Sequence, residues 1–182
     1  MTRRFIQRLF PLLAVALLVP WPIAYAHSYN VNGAGQDADA VQVEVAGDSA
    51  KPSWTAFGGA IGGVTTPGEL FYVDASGHPG DILITLHITN TNELIHHYRY
   101  LILKVGVYAQ TGIEQWQEAS AADGELVSDI YITLRNGQVS ANLAGHMEYK
   151  VAIESGSFYR FTANADGGSL SPRFYLAVDQ GY

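Results

Sequence analysis

The sequence contains no cysteine, and this absence excludes several kinds of chemistry at once. Disulfide cross-links, thiol nucleophiles, thiolate zinc sites and a lipid-modified terminal cysteine all need sulfur. Stability therefore has to come from a packed core. Residues 27–182 are long enough to bury such a core as a single domain.

The chain also lacks the short motifs of common hydrolases and nucleotide-binding enzymes. It has no Gly-x-Ser-x-Gly, no His-Glu-x-x-His and no glycine loop of the phosphate-binding type. The paired glycines at 58–63 come without the strand and helix that a dinucleotide site needs. They indicate a flexible connection or a backbone that packs closely against a neighbour. We expect a protein that is not an enzyme.

Basic residues are scarce, and three of the ten lie within the first eight positions. They precede an apolar run at 9–19 and the small-x-small triplet Ala-Tyr-Ala at 24–26. This order is typical of an export signal, so residues 1–26 are predicted to be a signal peptide cleaved after Ala26. No later stretch is apolar enough to suggest a membrane span. We expect a secreted or cell-surface protein.

After cleavage, seven basic residues would face seventeen acidic ones, a net charge of −10. Nucleic acid and anionic lipid are poor partners for such a chain, because binding either depends on a basic patch. Extracellular cations suit an acidic surface. Simple solubility explains the same charge.

Residues 27–50 are predicted to form a flexible arm that contains one strand. Its first part is rich in Gly, Asn, Asp and Ala, with little to bury. Val41, Val43 and Val45 then alternate with polar residues, which is the period of a half-buried strand. A tethered strand of this kind can be donated to a neighbouring subunit, so we expect self-association through it. The alternative is that it pairs within its own sheet.

Residues 51–182 predict an antiparallel β-sandwich, immunoglobulin-like or jelly-roll-like. Short β-branched and aromatic strands are separated by turn signals, without amphipathic helices between them. Within 82–88 the alternating apolar residues predict one buried face. The run 94–109 is too long for one ordinary strand, and we expect a bulge or break near Arg99 and Tyr100.

Three further local predictions concern the second half of the chain. The segment 112–125 is the only helical candidate, although a surface loop with one helical turn fits it equally. Asn136-Gly137 predicts a two-residue hairpin turn. Ser155-Gly156 predicts another turn between two strands.

Histidine supplies the candidate metal ligands. If cleavage follows Ala26, the amine and imidazole of His27 can chelate copper together with a further histidine. The terminal histidine and the predicted sandwich, and these two features alone, resemble the lytic polysaccharide monooxygenases, and the resemblance implies copper at His27. A tight hairpin at 90–93 would bring His87 and His96 together as a second ligand pair. Polar residues on a solvated sheet face explain this pair as well.

Three acidic turns resemble fragments of calcium loops, because alternating oxygens and a glycine suit a hard cation. None has the full ligand spacing, and ordinary turn chemistry explains each one. We therefore expect no obligatory cofactor and keep copper and calcium as alternatives. The fragments lie at 37–39, 122–125 and 164–168.

Tyrosines are the most suggestive candidates for a binding surface. Tyr98, Tyr100 and Tyr108 all occupy even-numbered positions, so in a regular strand they point to the same face. Tyr131 points to the face opposite the predicted core residues of its strand. Outward tyrosines offer flat apolar surface with a hydroxyl, which suits stacking on sugars or a protein interface. Cross-strand packing uses the same residues.

The sequence thus predicts a non-enzymatic structural or adhesive protein that binds itself or another surface protein. The alternative is a metal- or carbohydrate-binding module with a polysaccharide partner.

Overall fold

The computed structural model describes residues 25–26, 40–47, 49–50, 52, 61–119, 130–161 and 171–180. These residues form eleven strands and one short helix, so the protein is all-β as predicted. Strand pairing is antiparallel except between β1 and β11. The elements are β1 Tyr25–Ala26, β2 Gln42–Val45, β3 Gly62–Thr65, β4 Gly68–Asp74, β5 Ile82–Ile88, α1 Thr91–His97, β6 Tyr98–Gly112, β7 Gln115–Glu118, β8 Ile130–Thr133, β9 Gln138–Leu143, β10 Glu148–Arg160 and β11 Phe174–Gln180.

The strands form two sheets. The smaller has the order β1-β11-β5-β9, and the larger has the order β2-β4-β10-β6-β7. Two further strands join the larger sheet at its other end, where β3 pairs with β10 and β8 pairs with β6. The long strands β6 and β10 therefore run through the whole larger sheet and change partners along their length.

Apolar residues alternate with polar ones along the strands, and the apolar side chains of both sheets form one hydrophobic core. In β5 the side chains of Ile82, Ile84, Leu86 and Ile88 are buried, which confirms the predicted face. The larger sheet contributes buried rings and aliphatic side chains to the same core. Among the largest of these are Phe71, Leu101, Leu103, Tyr149 and Phe158.

Four bulges interrupt the described part of the larger sheet. Tyr100 pairs with Tyr159 and Tyr98 with Arg160, so one extra residue, Arg99, lies between the pairs. This confirms the predicted irregularity at that point. The other three extra residues are Leu70 in β4, Thr111 in β6 and Glu154 in β10. A bulge shifts the facing of every residue beyond it, because side chains in a strand alternate with a period of two.

The helix prediction was wrong. The described part of 112–125 is the end of β6, a turn and β7, and Glu114 in that turn has a φ of 58°. The helix lies instead at α1, where Leu94 is its buried residue. Asn90 anchors its start: the side-chain amide donates to the Ser171 carbonyl at 3.0 Å, and the Arg173 amide donates back to Oδ1 at 2.9 Å. Distant contacts thus decide this helix.

The predicted hairpin at Asn136-Gly137 and the predicted turn at Ser155-Gly156 were also wrong. Gly137 does sit in a turn, with a φ of 61°, but β8 and β9 on either side of it belong to different sheets. Gly156 lies inside β10, which is continuous. A Cβ atom there would come within 2.5 Å of Leu103 Cδ2 and 2.8 Å of Thr65 Oγ1. Close packing therefore explains this glycine.

The described part of the chain has no helix of the length and apolarity that a bilayer crossing requires.

Candidate functional site

The outer face of the larger sheet carries two different surfaces, one at each end of β6 and β10. Toward β3 and β8 the exposed side chains are apolar and aromatic. Toward β4 and β7 they are charged groups and tyrosines arranged around a cavity. We call the first surface the aromatic patch and the second the ion-pair groove.

The aromatic patch consists of five exposed side chains on four neighbouring strands: Val64, Tyr100, Ile102, Tyr131 and Tyr159. Tyr100 and Tyr159 are directly paired across the strands, and their rings stack with centroids 6.1 Å apart and planes at 15°. In the next row, Ser157 of β10 lies between Ile102 and Val64. The five side chains form one uncharged surface.

Two glycines of β3 make room for aromatic rings on both sides of the sheet. A Cβ at Gly62 would lie 3.4 Å from Tyr159 Cδ2 on the patch side. A Cβ at Gly63 would lie 2.4 Å from Phe158 Cζ on the core side, a distance that real contacts do not tolerate. The sequence left open a flexible connection or close backbone packing, and close packing explains Gly62 and Gly63.

Tyr98 lies on the inner face, whereas Tyr100 and Tyr131 lie on the outer face. The bulge at Arg99 is the reason, because it breaks the shared parity of Tyr98 and Tyr100. Tyr98 is 4% exposed and packs edge-on against Phe158 at 5.6 Å. Burial raises the pKa of Tyr98 although the charge and hydrogen bond of Arg160 act in the opposite direction. The structure therefore does not place Tyr98 on the exposed surface.

The ion-pair groove is built around a row of small residues. Ala152 of β10 pairs with Gly106 on one side and with Glu69 on the other. Larger side chains stand around this low floor, and the resulting cavity has a volume of about 600 Å³. The charged and phenolic residues that line it are Glu69, Tyr108, Lys150 and Glu154.

Each carboxylate of the groove is held by one phenol and one ammonium group. Glu69 accepts hydrogen bonds from the Tyr72 hydroxyl and from Lys150 Nζ, the latter at 3.1 Å. Glu154 accepts from the Tyr108 hydroxyl at 2.5 Å and pairs with Lys104 Nζ at 2.7 Å. Two negative and two positive charges therefore cancel within the groove.

These contacts set the protonation states of the groove. Burial acts to raise the pKa of both carboxyl groups, but their hydrogen bonds and the lysine charges outweigh it and lower the pKa of Glu69 and Glu154. The hydrogen bond to Glu69 raises the pKa of Tyr72 to about 12. Burial, followed by the bond to Glu154, raises the pKa of Tyr108. At neutral pH the carboxylates are ionised and the phenols remain donors.

Trp116 of β7 extends the groove with an aromatic wall. Its ring lies 6.0 Å from that of Tyr72, and Lys150 Nζ lies 5.3 Å from its centroid. The same ammonium group lies 5.4 Å from the Tyr108 centroid. Cation–π attraction at these distances fixes the lysine between two rings.

The predicted histidine ligands His87 and His96 lie on different elements of the fold. His27 lies outside the described residues. His87 pairs with Tyr175 and Gln138, and its ring is 5.9 Å from that of Tyr175. His96 lies exposed in α1, so the hairpin expected to join it to His87 does not form. The described part of the chain contains no group of three His, Asp or Glu residues able to hold a metal.

Copper at His27 therefore stays a prediction. The three calcium-like fragments at 37–39, 122–125 and 164–168 lie outside the described residues, so calcium stays a prediction as well.

The predicted arm strand is β2, at the edge of the larger sheet. It pairs with β4 of the same chain, placing Val43 opposite Val73 and Val45 opposite Phe71. Val41, just before the strand, is buried, and Val43 and Val45 are half-buried against the core. In this structure β2 therefore pairs within its own sheet, which is the alternative to donation.

Sequence reasoning missed Val64 and Ile102 as patch members, and it did not bring the residues of the groove together. Glu69 and Lys150 are 81 positions apart in the chain, and Tyr108 and Glu154 are 46 apart. Their meeting depends on the register of β4, β10 and β6, which no local pattern specifies. The available signal was Trp116, an aromatic residue in a polar segment.

No protein-family model matches the chain, and no curated protein is significantly similar to it.

Proposed function

We propose that this protein is a secreted, non-enzymatic structural or adhesive protein that self-associates, with the aromatic patch as its contact surface. In this proposal residues 1–26 are a cleaved signal peptide. The two sheets pack as a β-sandwich of the immunoglobulin-like or jelly-roll-like type, which presents the patch on the outer face of the larger sheet.

The observation that carries the proposal is the exposure of five contiguous apolar and aromatic side chains. Proteins rarely leave contiguous apolar patches exposed to solvent, and such patches commonly mark interaction sites. Tyr100, Tyr131 and Tyr159 combine apolar area with a hydroxyl, a combination that is common at protein interfaces.

Charge restricts where a second copy can bind. After the proposed cleavage the chain carries a net charge of −10, so two copies repel each other over most orientations. The patch side chains are uncharged, and its charged neighbour Lys104 is paired with Glu154. Two copies that meet at this face therefore bury apolar area where the repulsion is weakest, and flat sheet faces stack readily.

The edge strand β2 offers an additional route to the same result. Its pairing with β4 can be made equally well by β2 of a neighbouring copy, because the same hydrogen bonds and the same valine contacts form. Strand exchange and patch contact use different surfaces and are separable by experiment.

Sedimentation of the mature chain with Ile102→Thr and Tyr131→Thr tests the patch. Threonine suits a strand, and both side chains are exposed, so the fold is expected to persist while the association constant falls by about tenfold or more. The matched control is Leu83→Thr, since Leu83 is 37% exposed on the smaller sheet and Ile102 is 39% exposed.

A monomeric wild-type protein, or an equal loss in the Leu83 control, would contradict the proposal for the patch. Deletion of residues 27–50 tests strand exchange separately. Unchanged association after this deletion removes the exchange and leaves the patch.

A further inference from the structure

The floor of the ion-pair groove is the first sign of a binding site. Gly106 and Ala152 form one cross-strand pair, and they leave a depression between larger neighbours. Two of the four bulges border this row, at Leu70 and at Glu154. Bulges recur next to binding sites because they redirect a side chain. Glu154 is itself such a redirected residue.

Gly106 also has a specific steric role. A Cβ atom there would lie 2.6 Å from Glu154 Oε1 and 2.7 Å from Tyr108 Cε2. The Glu154 carboxylate and the Tyr108 ring therefore occupy the space that a side chain at this position would take.

The groove keeps hydrogen-bonding capacity to spare. A carboxylate offers about four acceptor positions, and Glu69 and Glu154 each use two on the contacts described above. The Lys150 ammonium has three donors and makes one described hydrogen bond, to Glu69. The free capacity thus includes both acceptors and donors around a cluster without net charge.

The walls of the groove are partly apolar. Tyr108 and Pro67 line the cavity, and the Trp116 ring packs beside Tyr72 and over Lys150. A ligand that fits has to present hydroxyl groups on its edge and C–H groups on its face. An anionic ligand is disfavoured, because the two lysines are already paired and the carboxylates of Glu44 and Glu118 also act on the groove phenols.

We infer that the ion-pair groove binds a neutral oligosaccharide, with one sugar ring over Ala152 between Glu69 and Glu154 and an adjoining ring against Trp116. The cavity of about 600 Å³ is of ordinary size for a small-ligand pocket. Glycoside cleavage would need one carboxyl group kept protonated, whereas contacts in the groove keep both ionised. The site is therefore one for holding sugar chains. It does not depend on the proposed self-association.

Isothermal titration calorimetry with cellohexaose, chitohexaose, xylohexaose and mannohexaose tests the inference. The mature protein is expected to bind at least one of the four. Ala152→Leu fills the floor of the groove, and Trp116→Ala removes the aromatic wall; each is expected to weaken binding by about tenfold or more. The matched control is Ala177→Leu, because Ala177 is half-buried in β11 of the smaller sheet.

Binding of none of the four sugars overturns the inference, and so does binding that survives both groove substitutions. The patch variant with Ile102→Thr and Tyr131→Thr is expected to bind sugar normally. Conversely, Ala152→Leu is expected to leave sedimentation unchanged, so failure of either proposal is recognised separately.

Discussion

The aromatic patch and the ion-pair groove lie on the same face of the same two strands, yet they differ in how their side chains are satisfied. In the patch, Ile102 and Val64 present apolar surface to solvent. In the groove, each carboxylate has a phenol and a lysine beside it. The difference arises from the neighbours of β6 and β10, because β3 and β8 flank one end while β4 and β7 flank the other.

This contrast suggests different roles for the two ends. Covering exposed apolar area with another surface lowers the free energy. Paired charges gain little from further burial, since burial removes water from ions that are already satisfied. The patch therefore suits a protein surface, and the groove suits a small hydroxylated ligand.

The largest effect is expected from removing the ring under the patch. Phe158 is buried beneath Gly63 and against Tyr98. Phe158→Ala should lower the free energy of unfolding by about 3–5 kcal/mol, because it removes buried area and leaves a cavity. Urea denaturation measures the loss. Tyr159→Ala, at the next position but on the exposed face, is the control, and equal losses in the two variants would refute the assignment of faces.

A smaller loss is expected from Gly63→Ala. The new Cβ would meet Phe158 at 2.4 Å, and relieving this clash by a shift of β3 should cost about 1–3 kcal/mol. The same change at Gly47, where no atom lies within 4 Å, is the control. Thermal denaturation compares the two. A neutral Gly63 variant would mean that β3 does not pack over Phe158 as described.

The stacked pair of the patch should show a measurable coupling. Single and double alanine variants of Tyr100 and Tyr159 form a double-mutant cycle, with an expected coupling of about 0.5–1.5 kcal/mol. A second cycle, between Tyr100 and Tyr131, serves for comparison, because Tyr131 is paired with Lys104 instead. Coupling of the same size in both cycles would show that the stacking contact is not specific.

The smallest effect concerns the groove and depends on pH. The pKa values of Glu69 and Glu154 lie below the ordinary 4.5 in the folded chain, so their contribution to stability is present above that pH. It is lost as the pH falls through the folded-state pKa values. As the pH is lowered below about 5, the free energy of unfolding should fall less steeply in a double variant with Glu69→Gln and Glu154→Gln than in the wild type.

Partly exposed ion pairs contribute only about 0–1 kcal/mol each, which makes this change in slope small. Denaturation at a series of pH values measures it. Patch variants should follow the wild-type slope, because the five patch residues include no carboxyl group. An identical slope in the Glu double variant would show that the two carboxylates are not held as described.

Local patterns predicted the parts of the fold that depend on local chemistry. The alternation in β5, the strand at Val41 to Val45 and the irregularity near Arg99 could all be read from residue order. The position of Tyr98 could not, because the single extra residue at Arg99 reverses its face. Gly156 was misjudged as a turn residue, because the side chains that crowd it, from Leu103 and Thr65, come from other strands.

The candidate site followed the same division. Tyr100 and Tyr131 were identified as exposed tyrosines from parity alone. That they form one surface with Val64, Ile102 and Tyr159 could be seen only from the order of β3, β10, β6 and β8 in the sheet. The groove required the meeting of Glu69 with Lys150 and of Tyr108 with Glu154, which lie far apart in the chain.

The amino-acid sequence by itself determined that this protein is built from strands, with a core made by alternating apolar residues and without any help from sulfur. These properties depend on the period of the side chains and on composition, which are local. Only the tertiary structure decided which residues meet on the outer face. Strand order and register follow from burying both sheets in one core, and a single bulge is enough to exchange the inner and outer faces.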